Sequence, residues 1–215
     1  MRVEVKFCGL TRESDARAAA ELGARYVGVI FAGGPRNLDP ARAREVLDAA
    51  GPGVDRVGVF GCQSPSEIAK IVDEAHLDIV QLHADPAVAD VQAVNAATGA
   101  RIWAVVRVSG DRVHAILYDL WNSADALVLD SKTNGTLGGT GRSFDWSAVE
   151  QSRRDRARPL VVAGGLTAIN VGRAIEMLSA DIVDVSSGVE SSPGIKDHTR
   201  MSEFMIAVDR ARVLR

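Results

Sequence analysis

Eight short runs rich in Val, Ile and Leu alternate with segments of helical patterning along the whole chain, and this alternation constrains the fold more than any other feature. The runs are Glu4 to Cys8, Tyr26 to Phe31, Arg56 to Phe60, Ile79 to His83, Ile102 to Arg107, Ala126 to Asp130, Leu160 to Ala163 and Ile182 to Ser186. Their length and content suit buried parallel strands. Between them lie Ala41 to Ala50, Glu67 to Ala75, Val88 to Ala97 and Ala168 to Leu178, long enough to be crossover helices. Eight βα units in 215 residues predict an α/β fold, a (β/α)8 TIM barrel of eight parallel strands formed as one domain over residues 1–215, because closure covers both faces of the sheet and removes its edges. An open doubly wound sheet is the alternative. It would usually carry a G-x-G-x-x-G turn after the first strand, where this chain has Cys8-Gly9-Leu10-Thr11.

Helix boundaries are well marked. Asp39-Pro40, Ser64-Pro65 and Asp85-Pro86 each place a capping oxygen before a proline at the first helical position, and Ser64 with Glu67 reads as a capping box. Gly23 and Gly99 stand where helices end. With 47% hydrophobic and 25% charged residues the chain buries a core without staples. A net charge of -3 and scattered Lys and Arg offer no stripe for nucleic acid. The opening MRVEVKF has no apolar signal region, and no run is long enough to span a membrane, so a cytoplasmic protein is expected. There, Cys8 and Cys62 are expected as free thiols.

Strand parity selects the chemistry. In the first strand Val3, Val5 and Phe7 share the face expected against the helices, so Lys6 and Cys8 turn into the lumen, with Cys8 at the C-terminal mouth where barrel active sites lie. In the sixth strand Leu127 and Leu129 face outward and Asp130 faces inward at the last position. A thiol and a carboxylate thus meet at one mouth. Alternatively Cys8 is a small buried hydrophobe and Asp130 caps the next segment or pairs with Lys132. Two small-residue clusters, Ala163-Gly164-Gly165-Leu166 and Ser186-Ser187-Gly188-Val189, follow strands seven and eight. Barrels commonly hold a substrate phosphate in these loops, which makes Gly164, Gly165, Ser186, Ser187 and Gly188 candidate phosphate contacts, although glycines there also serve as turns.

Segments KFCGLT, GVIF with a following PR, VGVF, QLH, LVLDSK with GGTG and FDW, AGGL, SSGVE and GIKD occur in this order, and together they resemble the phosphoribosylanthranilate isomerase family along nearly the whole chain. Departures are Ala84 after QLH, Ser131 after the strand-six aspartate, and the thiol of Cys62. The resemblance implies an Amadori rearrangement of N-(5-phosphoribosyl)anthranilate to 1-(2-carboxyphenylamino)-1-deoxyribulose 5-phosphate in tryptophan biosynthesis, with no cofactor and no metal, in a monomer or homodimer. It implies Asp130 as general acid at the ring oxygen and Cys8, as thiolate, as base at C2'. The thiol would then need a value below its free ~8.5, with Lys6 as the source of positive potential. Arg36 is expected to clamp the anthranilate carboxylate, and Arg107, His83 and Asp184 to bind carboxylate or sugar; each could instead be a satisfied surface or lumen residue. Lys132 to Arg142 is expected to act either as a lid or as a passive loop. Rival readings are another phosphate-binding barrel enzyme, such as the histidine-pathway aminoaldose isomerase, a pentose-phosphate epimerase or indole-glycerol-phosphate synthase, or a barrel that binds a phosphorylated ligand without catalysis.

Overall fold

The apolar runs pair in parallel as expected and close on themselves. In the computed structural model, which describes residues 3–107, 119–130 and 158–213, they form β1 (Glu4–Phe7), β2 (Tyr26–Ile30), β3 (Asp55–Phe60), β4 (Ile79–Leu82), β5 (Arg101–Arg107), β6 (Ala126–Asp130), β7 (Leu160–Ala163) and β8 (Ile182–Val185). Each strand hydrogen-bonds to its sequence neighbours, and β8 returns to β1 with Lys6 opposite Asp184. The open-sheet alternative is excluded by this closure.

Around the barrel lie α1 (Glu13–Glu21), α2 (Pro40–Asp48), α3 (Pro65–Ala75), α4 (Val88–Thr98), a helical stretch at 119–123, α5 (Val171–Leu178) and α6 (His198–Val213). Asp39 caps α2 by accepting from Arg42 N, and Ser64 with Glu67 forms the expected capping box of α3. The third expected cap is a correction. Asp85 adopts φ 49° and turns its carboxylate to Arg107, so α4 starts later and Asp90 reaches back to the Ala87 N–H at 2.8 Å. Among the described residues, no helix is long and apolar enough to cross a membrane.

Strand parity divides the interior into two cores. Val5, Phe7, Val27, Val29, Leu127 and Leu129 join the helix-facing core, while Tyr26, Val57, Ile79, Trp103, Val105, Val128, Val161 and Ile182 fill the lumen. Lys6, Gln81, Asp130 and Asp184 take inward positions nearer the C-terminal ends of β1, β4, β6 and β8, which places the polar groups at that rim. At the opposite rim three of the even strands, β4, β6 and β8, share a device that follows from their sequences. Asp78, Asp125 and Asp181 each precede an apolar strand and accept the N–H of Arg56, Ile102 and Leu160 at 2.8 Å, while their own N–H groups return to the same residues' carbonyls. These paired bonds satisfy strand starts that would otherwise carry orphan donors.

One element was not anticipated. After β8 and a 3-10 turn at Ser187–Val189, the chain forms an antiparallel pair, β9 (Glu190–Ser192) and β10 (Ile195–Lys196). Pro193 and Gly194 join them, with Gly194 at φ 81°. The pair lies against the loops after β1 and β2 and brings Glu190 to Arg36 and Lys196 to the Cys8 carbonyl.

Candidate active site

The site grows from three inward side chains that close the lumen below the mouth. Lys6 is fully buried and its Nζ donates to Gln81 Oε1 at 2.7 Å, Asp184 Oδ2 at 2.8 Å and Cys8 Sγ at 3.2 Å. Its ammonium also lies 5.8 Å from the centre of the Trp103 ring beneath it. Space for this side chain comes from Gly28 of β2, where a Cβ would stand 2.9 Å from Lys6 Cε and 3.2 Å from Cys8 Sγ. Burial pulls the Lys6 ammonium down, but Asp184 and Cys8 outweigh it, so the group is held above its ordinary value and stays charged.

Cys8 follows β1 directly, buried, with its N–H on the Val185 carbonyl at 2.9 Å. The expected lowering of its thiol is not what the structure shows. Burial pushes the Cys8 thiol up, and Lys6 only partly offsets this. Burial is the main cause, and the Lys6–Asp184 ion pair at 2.8 Å weakens the counterweight, since Asp184 acts on the sulfur against Lys6.

Asp130 ends β6 at the same rim, buried, with Oδ2 3.5 Å from His83 Nε2. Burial holds the His83 imidazole below its ordinary value despite Asp130, with Arg107 adding to the effect. Among the described buried side-chain atoms that lack a hydrogen-bond partner, three belong to this mouth: Asp130 Oδ1, His83 Nδ1 and Asp184 Oδ1. Unpaired buried polar atoms are costly, so their grouping marks a place where a polar ligand completes the bonding.

The remaining expected residues divide. Arg107 ends β5 with inward parity, yet its guanidinium is half-exposed and already donates to Asp85 Oδ2 at 3.1 Å and to the His83 carbonyl at 2.9 Å. Arg36, in the loop after β2, packs over Gly9 and Ser186 beside Cys8. It forms a two-pronged pair with Glu190, Nε to Oε1 at 2.7 Å and Nη2 to Oε2 at 2.5 Å, which raises its already high value. Glu190 and Lys196, part of the quoted motifs but assigned no role from sequence, meet here. Lys196 Nζ donates to Glu190 Oε1 at 2.9 Å, to the Cys8 carbonyl at 2.6 Å and to the Ser186 carbonyl at 3.1 Å. Inward parity was the signal for Gln81; for Glu190 and Lys196 only their place in SSGVE and GIKD was available.

The two small-residue clusters touch. Gly164 and Gly165 adopt φ 90° and 64°, and a Cβ on Gly188 would stand 1.8 Å from the Leu166 carbonyl oxygen, so only glycine lets the loops after β7 and β8 pack backbone to backbone. Ser186 and Ser187 lead from β8 into the 3-10 turn. Lys132 to Arg142, with the GGTG segment, and the FDW segment that follows lie outside the described residues. Among the described residues, no cluster of three or more His, Cys, Asp or Glu is gathered as a metal ion would require. Cys62 is a free, exposed thiol beyond β3.

This geometry has close counterparts. Residues 5–207 match the family described as N-(5'phosphoribosyl)anthranilate (PRA) isomerase. The N-(5'-phosphoribosyl)anthranilate isomerase of Acidithiobacillus ferrooxidans is 41% identical over 207 residues, covering 96% of this chain and 97% of the relative. That of Pseudomonas aeruginosa is 42% identical over 216 residues, covering 98% and 97%. The crystal structure of phosphoribosyl anthranilate isomerase from Thermotoga maritima superposes with a TM-score of 0.85 at 35% identity, covering 97% of this chain and 99% of that one. A further structure of the enzyme, in complex with reduced 1-(o-carboxyphenylamino)-1-deoxyribulose 5-phosphate, superposes with a TM-score of 0.83 at 33% identity over 97% and 99%. By fold, by the order of its motifs and by full-length similarity, the chain belongs to the phosphoribosylanthranilate isomerase family.

Proposed function

We propose that Cys8 and Asp130 are the base and acid of an aldose–ketose isomerisation carried out at the C-terminal mouth of this barrel. The chain is an isomerase of tryptophan biosynthesis that converts N-(5'-phosphoribosyl)anthranilate to 1-(2-carboxyphenylamino)-1-deoxyribulose 5-phosphate. What supports this reading is one observation: a thiol after β1 and a carboxylate ending β6 occupy the same rim, among buried polar atoms that lack partners.

In this reading Asp130 protonates the furanose ring oxygen and opens the ring to a Schiff base. Cys8, once ionised, takes the proton from C2', and the enolamine so formed tautomerises to the ketone. Asp184 Oδ1 and His83 Nδ1 receive sugar hydroxyls, while Arg36 and Arg107 face the carboxylated ring. The phosphate is held by the loops of Gly164, Gly165, Ser186, Ser187 and Gly188, whose close approach suits an anion bound through main-chain groups. The reading takes residues 1–215 as one domain and leaves the chain free to act as a monomer or a homodimer; solved relatives include both monomeric and dimeric forms.

Turnover is followed through the fluorescence of the anthranilate group in a coupled assay, and a tryptophan auxotroph lacking this step is expected to grow with the chain supplied. A purified, folded protein with no turnover of this substrate would end the reading. The phosphate assignment has its own check. Gly188→Ala drives a methyl into the Leu166 carbonyl and is expected to cost about 1–3 kcal/mol of stability and to raise KM by about tenfold with a smaller change in kcat. An unchanged KM in a destabilised variant would remove the two loops from phosphate binding.

A further inference from the structure

The buried cation of Lys196 and the carboxylate of Glu190 take no part in the chemistry just described, yet they touch three of the loops that carry it. Lys196 Nζ holds the Cys8 carbonyl after β1 and the Ser186 carbonyl after β8, and Glu190 grips Arg36 from the loop after β2. Both side chains are almost wholly buried, at 0% and 4% exposure, whereas Arg36 retains 22%. Glu190 therefore spends one full edge of the guanidinium, Nε and one N–H of Nη2, and leaves Nη1 and the other N–H of Nη2 to a ligand. Burial alone would raise the Glu190 carboxyl, but Arg36 and Lys196 hold it down to about 2. Lys196 is in turn pulled below its ordinary value by burial, which Glu190 only partly offsets, so the carboxylate shared by two cations is the fixed charge of the cluster.

We propose that Glu190, backed by Lys196, is a positioning residue for substrate specificity: it fixes the plane of Arg36 so that the remaining N–H edge receives the arylcarboxylate of the substrate. A freely rotating arginine would lose rotamer freedom on gripping a carboxylate; one already locked by Glu190 does not. The Lys196 bonds to two backbone carbonyls set this plane in register with the Cys8 thiol and the phosphate loop. The inference rests on Arg36 contacting the substrate carboxylate, as proposed above.

The test compares two stable ligands in the full chain: reduced 1-(o-carboxyphenylamino)-1-deoxyribulose 5-phosphate and its counterpart lacking the carboxylate. Their Kd ratio measures what the carboxylate contributes, and a loss of general structure moves both constants together. In Arg36→Ala the ratio is expected to collapse toward one. In Glu190→Gln it is expected to fall by about tenfold, the order set by loss of one charge-assisted contact, while the ligand without the carboxylate binds within about twofold of the parent. Glu190→Asp, one methylene short of the guanidinium but still charged beside Lys196, is expected to behave alike and serves if the glutamine variant fails to fold. Equal weakening of both ligands in the Glu190 variants overturns the proposal, as does an unchanged ratio in them while Arg36→Ala collapses it. An unchanged ratio in Arg36→Ala overturns the assignment of Arg36 itself and this inference with it.

Discussion

Cys8→Ser and Asp130→Asn are each expected to lower kcat by about 10²- to 10⁴-fold, the range of a lost general base or acid, with KM near the parent value. Both substitutions preserve shape. Serine keeps the N–H on the Val185 carbonyl and the carbonyl on the Lys196 ammonium, since both contacts use main-chain atoms of residue 8. Its hydroxyl does not ionise in the working range, so the base is lost and the scaffold retained. Asparagine matches the volume of Asp130 and forgoes only the transferable proton; the 3.5 Å contact with His83 is too long to matter for stability. Steady-state kinetics beside a thermal melt separates the two effects. A variant with near-parent kcat removes that residue from the mechanism.

The thiol also fixes a pH dependence, and its sign follows from burial. Because the Cys8 value is raised, the thiolate is scarcer at neutral pH than on a free cysteine, and its fraction grows as pH rises toward the raised value. The profile of kcat/KM, which reports the free enzyme, is therefore expected to climb between about pH 7 and pH 9. A profile already level at about pH 7 would mean that the thiolate forms without this cost, and that the neutralised Lys6–Asp184 pair is not what Cys8 feels.

Much of this site was legible in the sequence wherever period-two alternation decides it. Parity alone turns Lys6, Cys8 and Asp130 inward, and the packing of Val5, Phe7, Leu127 and Leu129 against the helices agrees. What was not legible depends on partners far away in the chain. Arg36 reads from sequence as a carboxylate clamp, but Glu190, 154 residues on, holds one edge of its guanidinium through a hairpin whose only local signal is Pro193-Gly194. The Cys8 thiol is raised chiefly by burial, which no local pattern shows, and the opposing effect expected of Lys6 is weakened from far away in the chain. Lys6 reads as a free positive neighbour until barrel closure sets Asp184 beside it, because the β1–β8 register exists only in the folded ring. Asp85 has the right neighbours for a cap, but its carboxylate is taken by a side chain from the adjacent strand, Arg107 of β5. Local chemistry therefore placed the elements, while long-range charge pairing decided how the site's cations are shared.

Lys6→Met is expected to be the most destabilising change at the site, by about 3–5 kcal/mol, because it strands a buried charge. Asp184 is 7% exposed, and its Oδ2 loses the ammonium at 2.8 Å while Oδ1 already has no hydrogen-bond partner. Gln81 Oε1 loses its 2.7 Å donor as well. The double variant Lys6→Met with Asp184→Asn removes the uncompensated charge, so it is expected to recover a substantial part of the lost stability, a coupling that chemical denaturation measures directly. Catalysis responds differently from stability. Lys6 is the group that opposes the burial of the Cys8 thiol, so in the single variant the rising limb of kcat/KM is expected to move to higher pH. A double variant no more stable than the single one would show that the Lys6–Asp184 pair is not the source of the loss. A limb that stays in place would show that Lys6 holds the lumen together without tuning the thiol, and the two measurements thus separate the residue's structural work from its electrostatic work.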